Sequence, residues 1–364
     1  MNTISYRTND TRQHFAVLDG LRGVAALSVV IFHFMEIIFT DWTQNFIGHG
    51  FLGVDFFFCL SGFVIGYAYD NRMEKLGITE FFKARVIRLH PLVVVGSVLG
   101  LLTFLFDPFS TAASGYGLGR IIILFISSLL LIPFPVMEDR AFNLFGLNAP
   151  SWSLFWEYIA NILYAFILCR LSRKYLTGLF IIATIVLFYV SYTTGSLMGG
   201  WSGATFWEGG ARIFYSFLAG LLVYRSSWII KNKLGFIVPA ILLFLAFIMP
   251  FISISWITET LVVFLYFPFL VALGAGTDVS EGIKKCCNLI GKISYPLYMT
   301  HYGALWIFGN YYNTYKPKGN DLVLIVAISV ILLALIAYLM MIWVDQPLRK
   351  YLQKRWLCTE TKNI

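Results

Sequence analysis

Charge is what this 364-residue chain has least of: Asp, Glu, Lys and Arg together make up 13% of it. Soluble domains carry about 25%, and half that share cannot cover the surface of a folded chain this long. A soluble globular enzyme is therefore excluded. A disordered chain is excluded as well, because such chains are poor in aromatics and Phe, Trp and Tyr make up 18% here. Internal repeats, low-complexity tracts and domain-dividing linkers are missing too. Cysteine is sparse: Cys59, Cys169, Cys286, Cys287 and Cys358 show no metal-ligand spacing, and neither a disulfide framework nor a metal site is expected. The first apolar run has no small-residue cleavage pattern, so it reads as a retained helix rather than a signal peptide.

What is present is apolar sequence, 59% of the chain, with a mean hydropathy of +0.76. It falls in uninterrupted runs rather than the weak alternation of an outer-membrane barrel. Runs near the 20 residues that a spanning helix needs lie at 15–39, 50–69, 90–106, 152–169, 175–194, 211–224, 235–252, 257–274, 294–310 and 321–344. An eleventh, 121–136, is short and is broken by Pro133 and Pro135. With a cytoplasmic N-terminus and no crossing at 121–136, only Arg120, Arg140, Arg212, Lys316 and Lys318 of the 27 basic residues lie outside. If 121–136 crosses, the split becomes 12 inside and 15 outside. Cytoplasmic loops carry the excess of Lys and Arg, so the first arrangement is expected. The fold class is thus all-α: a polytopic transmembrane helical bundle of about ten spans, with a short re-entrant or outer-leaflet segment near 121–136. It is read as one domain over 1–364, with short cytoplasmic tails, in the cytoplasmic membrane. The net charge of +8 belongs to these loops, not to a nucleic-acid partner.

Ionisable residues inside spans are costly and point to function. Arg22 and His33 share a face of the first span about 16 Å apart, at 1.5 Å per residue. Asp55 lies near the outer end of the second span and needs a partner. Arg85 and Arg88 share a helix face by their i, i+3 spacing and make a fork suited to phosphates. Trp152 and Trp156 suit an interfacial belt. Glu157 lies a few residues into its span, and His301 lies near mid-membrane in the tenth. By depth alone, His33, Glu157 and His301 can meet in one site.

These residues fall in motifs that resemble the integral-membrane acyltransferase family 3, which includes bacterial O-antigen and nodulation-factor acetylases. The motifs are LDGLRG followed by His33; GVDFFFCLSGF from Gly53; Arg85-x-x-Arg88; PSWSLFWE ending at Glu157; ISYPLYMTH ending at His301; and VDQPLRK from Val344. They run in the family's order over 18–350. The segment after Trp-Ser-Leu is less polar than is common in the family. No C-terminal extracytoplasmic domain is expected, which would leave acceptor choice to the membrane part.

The resemblance implies transfer of an acyl group, commonly acetyl, from cytoplasmic acyl-CoA to a hydroxyl of an envelope glycan or glycolipid such as lipopolysaccharide. No tightly bound cofactor is implied; acetyl-CoA is a co-substrate. His33 is expected to act as general base, oriented by Glu157 or Asp55. Arg22 is expected to stabilise the thioester oxyanion or the CoA pyrophosphate, and Arg85 and Arg88 to hold the nucleotide phosphates. His301, Ser153 and Trp152 are expected to position the acceptor. A multi-span transporter or flippase is the competing class, since buried Asp, Glu and His also build proton relays; the lack of an inverted repeat weighs against it.

Overall fold

The computed structural model describes residues 14–357, all of whose regular structure is helical. Arg7, Arg12, Cys358 and Lys362 lie outside the described residues. The helices are α1 (Ala16–Ile38), α2 (Gly53–Tyr69), α3 (Met73–Leu105), α4 (Leu118–Leu129), α5 (Ser151–Phe166), α6 (Arg173–Thr194) and α7 (Phe206–Arg225). They continue with α8 (Ile237–Phe247), α9 (Ser255–Leu261), α10 (Phe267–Gly276), α11 (Glu281–Tyr315), α12 (Gly319–Met340) and α13 (Gln346–Trp356). Single π-helical turns join α9 to α10 and α12 to α13.

Seven helical stretches are long and apolar enough to cross a membrane, among them α1, α2, α3, α5 and α6. Each of the ten runs read from the sequence has a helix, but they do not all qualify as spans. Helix α8 has 11 residues and is too short to cross unaided. Helices α7 and α11 are long but are not among the seven; both carry polar groups that face protein. The chain is thus an all-helical membrane protein with seven such stretches among its described residues.

Helix α4, with 12 residues, spans only about 18 Å at 1.5 Å per residue. The helices on either side of it pack against each other. Phe81 packs on Tyr164, Arg85 meets Glu157, and Gly96 abuts Asn148. Helices α3 and α5 are therefore antiparallel, and the chain enters α5 at the end where it left α3.

The two most extensive helix pairings, α1 with α11 and α2 with α7, depend on glycines. A Cβ at Gly23 would collide with Ile290, and one at Gly291 would press on the Asp19 backbone. Small residues let membrane helices approach closely. This crossing runs α1 parallel to α11, so that Arg22 faces Ser294 and His33 faces His301. Between α2 and α7, Gly62 lies against Phe217 and Gly220 against Cys59, which brings Asp55 to Arg212.

Candidate active site

A cavity lies between α1, α2, α3, α5 and α11, with about 810 Å³ of unfilled space including its open mouth. Arg22, Arg85 and Arg88 line it, together with Ser61, Glu157 and Tyr298. Three guanidiniums in one crevice repel each other unless carboxylates or an anionic ligand intervene. Two are compensated by the protein. Arg22 Nη2 lies 2.8 Å from Asp19 and donates to the Gly291 carbonyl, and its Nε donates to Ser294 Oγ. Arg85 Nη2 donates to Glu157 Oε1 at 2.7 Å, and Ser61 donates to the same oxygen. Arg85 is 7% exposed, and its Nε is buried without a partner. Arg88 is accessible, and no carboxylate among the described residues is within ion-pair distance of it.

The far end of the cavity is walled by Tyr298, whose hydroxyl is 2.8 Å from Ser153 Oγ. Beyond it the Tyr298 ring lies 6.1 Å from that of His301, and His301 stacks on His33 with centroids 5.4 Å apart. His33 Nδ1 is 2.6 Å from Glu36 Oε1, one turn along α1. An ionised carboxylate only accepts, so Nδ1 carries the proton and Nε2 of neutral His33 is left as a base. His301 Nδ1 donates to the Leu297 carbonyl, and its Nε2 is fully buried with no partner.

Several expected pairings differ in the structure. Neither Glu157 nor Asp55 orients His33: Glu157 is held by Arg85, and Asp55 by Arg212. Depth placed Glu157 and the histidines at compatible levels, but depth does not say which way a helix face points. The carboxylate on His33 is Glu36, which the sequence reading missed. Its signal was the i, i+3 spacing, hidden because Glu36 sits at the end of an apolar run. Arg22 cannot reach a thioester beside His33, because 11 residues of unbroken α1 put about 16 Å between their backbones. Trp152 is not part of the cavity wall; its ring lies 5.2 Å from the Arg212 guanidinium. Ser153 does line the cavity.

Asp55 and Arg212 are 0% and 1% exposed and pair through two hydrogen bonds of 2.6 and 3.1 Å. Arg212 also donates to the Phe51 and Gly199 carbonyls, tying the entry of α2 to the loop before α7. Removing one partner of a buried pair costs about 3–5 kcal/mol. Arg212→Ala is expected to lower the thermal midpoint of the detergent-purified protein sharply, with Asp55→Ala plus Arg212→Ala less damaged. Equal loss in the single and double variants would show that the charge left behind is not the cause.

Residues 15–342 match the model of the acyltransferase domain family. The chain is similar to "Protein 2 in picA locus" of Rhizobium radiobacter, 34% identical over 188 residues, which are 48% of this chain and 93% of that protein. It is also similar to O-acetyltransferase OatA of Staphylococcus aureus, 24% identical over an alignment covering 92% of this chain and 57% of that protein. The chain thus spans a little over half of OatA's length. No solved structure matches. With a carboxylate-held histidine lying beyond its arginine-lined cavity, the chain belongs to this acyltransferase family and is a membrane acyltransferase.

Proposed function

We propose that the protein transfers an acyl group, acetyl in the simplest case, from cytoplasmic acyl-CoA to a hydroxyl of an envelope glycan or glycolipid. The observation that carries this reading is a crevice lined by Arg22, Arg85 and Arg88 and walled at its far end by Tyr298, with the His33–Glu36 pair beyond that wall. Arg88, which has no carboxylate of its own, takes a CoA phosphate, and Arg22 and Arg85 add to the positive field there. The pantetheine arm runs along Ser61 to Tyr298, and movement of the Tyr298 side chain lets the thioester reach His33. The acceptor oxygen attacks the thioester carbonyl carbon while its proton passes to His33 Nε2. The carbon–sulfur bond then breaks, the thiolate takes that proton from the His33 imidazolium, and an ester, free CoA and neutral His33 result. Glu36 stabilises the imidazolium that forms. His301, stacked on His33, positions the acceptor. Transfer is direct, because the two substrates reach His33 from opposite sides. The relative named O-acetyltransferase supports an oxygen acceptor, and membership of an acyltransferase family disfavours the carrier reading.

In this reading the chain is one membrane-embedded domain in the cytoplasmic membrane, with both termini and the arginine end inside. A single cysteine at exposed Arg173, in a background with the native cysteines removed, is expected to resist an impermeant thiol reagent in intact cells and to react after lysis. Labelling in intact cells would invert the topology. Function is tested by incubating purified protein and cell envelopes with acyl-radiolabelled CoA. Label bound through an ester to a glycan or lipid is expected; label that merely changes compartment would favour a carrier.

A further inference from the structure

A second cavity opens between α5, α6 and α7, with about 1230 Å³ of unfilled space including its open side. Apolar side chains of all three helices line it, among them Ile159, Leu163, Val186, Val190, Phe214 and Leu218. Its rim faces out of the bundle: Val186 is 41% exposed and Trp207 77%. From Trp207 to Leu218 the groove follows α7 for 11 residues, about 16 Å at 1.5 Å per residue. Half of a hydrocarbon core about 30 Å thick is about 15 Å, so the groove matches the chain region of one leaflet. In the proposed topology that is the outer leaflet.

At the start of α7 the groove adjoins a more polar space. Trp207 and Glu208 also line a cavity formed with Pro133, Pro135, Gly203 and Thr205. Glu208 is half-buried there. Its carboxylate lies against Gly199, where a Cβ would collide with Oε2, and it has no ion pair or hydrogen bond among the described residues. The positive charge that reaches it belongs to Arg212, one turn along α7. Arg212 has no N–H left for it: all five go to Asp55 and to the carbonyls of Phe51, Met198 and Gly199. Beside Glu208, Phe206, Trp156 and Trp207 form an aromatic cluster, with the two indoles 6.1 Å apart and Phe206 4.9 and 5.1 Å from them. The N-terminus of α7, in the same place, has no side-chain cap. The first backbone N–H groups of a helix lack partners inside it and attract anions.

We propose that this groove holds a zwitterionic phospholipid with a primary-amine head, of the phosphatidylethanolamine class. One acyl chain lies between α5, α6 and α7. The ammonium sits on Glu208, since a carboxylate with no cation of its own beside aromatic faces suits an ammonium. The phosphate meets the first amides of α7. A primary ammonium has three N–H groups to donate, and a carboxylate accepts them. A quaternary ammonium has none, and an anionic head would bring like charge to Glu208. The inference goes beyond the acyl-transfer reading and takes from it only the leaflet.

The test uses the full-length protein purified in detergent and four lipids with identical acyl chains: phosphatidylethanolamine, phosphatidylcholine, phosphatidylglycerol and a diglucosyl diacylglycerol. Titration followed by native mass spectrometry gives each dissociation constant. Phosphatidylethanolamine is expected to bind at least tenfold tighter than each of the others. Glu208→Gln is expected to remove that preference, and Glu208→Asp to keep part of it. Val186→Trp, which narrows the lipid-facing rim, is expected to weaken all four; unchanged affinities in that variant would place the lipid elsewhere and overturn the proposal. Equal affinity of the wild type for the four would overturn it, as would equal weakening of the four by Glu208→Gln. Tightest binding of the glycolipid would overturn it too, and would make the groove an anchor for a sugar-bearing lipid. The wild-type comparison needs no variant, so it decides the matter whatever the variants' stability.

Discussion

His33→Ala is expected to lower acyl transfer by about 10²–10⁴-fold, the usual contribution of a positioned general base, while acyl-CoA binds with unchanged affinity. Two features separate these effects. The imidazole lies beyond the Tyr298 wall, about 16 Å along α1 from the Arg22 end of the cavity, so its loss does not touch the phosphate contacts. It is also a quarter exposed, so little packing is lost with it, and the variant is expected to purify as a folded protein. Glu36→Gln is expected to give a smaller fall in turnover, because an amide can still hold Nδ1–H but cannot stabilise the imidazolium. Steady-state transfer with a direct binding measurement checks both. Wild-type turnover in folded His33→Ala would remove His33 from the mechanism.

Arg88→Ala is expected to raise the KM for acyl-CoA more than tenfold and to leave turnover at saturation nearly unchanged. A charge-assisted hydrogen bond is worth about 1.5–3 kcal/mol, and a tenfold change in affinity is about 1.4 kcal/mol, so losing one strong phosphate contact suffices. The loss also makes binding less sensitive to salt, because fewer charges are screened. Arg88 is the cleaner probe of the fork. Arg85 is bound to Glu157, and its removal would leave that carboxylate without its cation, mixing stability into the result. An unchanged KM in Arg88→Ala would place the CoA phosphates elsewhere.

Much of this arrangement is legible in the sequence, because a bilayer imposes strong rules. The imbalance of Lys and Arg between the two sides predicts that 121–136 does not cross, and α3 and α5 on either side of it pack antiparallel. Hydropathy marks the apolar stretch, however, not the helix. Helix α3 begins at Met73 and α11 at Glu281, well before their apolar runs at 90 and 294, because polar helical turns continue outside the apolar part. Segment 70–88, which joins the second and third apolar runs, is largely helix for the same reason.

The site was legible residue by residue but not pair by pair. Arg22, Arg85, Arg88 and Glu157 do share one cavity, and His33 and His301 do stack. Which carboxylate serves which cation was not legible, because it depends on helix rotation set by contacts such as Gly23 on Ile290 and Gly220 on Cys59. Asp55 stood out as a carboxylate in need of a partner, and it has one; Arg212, counted only as a loop charge, is that partner.

The most direct measurement of the central claim is photo-crosslinking with an acyl-CoA whose acyl group carries a diazirine. Label is expected on the peptides that contain His33 and His301, competed away by unmodified acyl-CoA, reduced in Arg88→Ala and retained in His33→Ala. Label confined to other helices, or label on these peptides that excess acyl-CoA does not displace, would contradict a donor bound at the arginines with its thioester at His33.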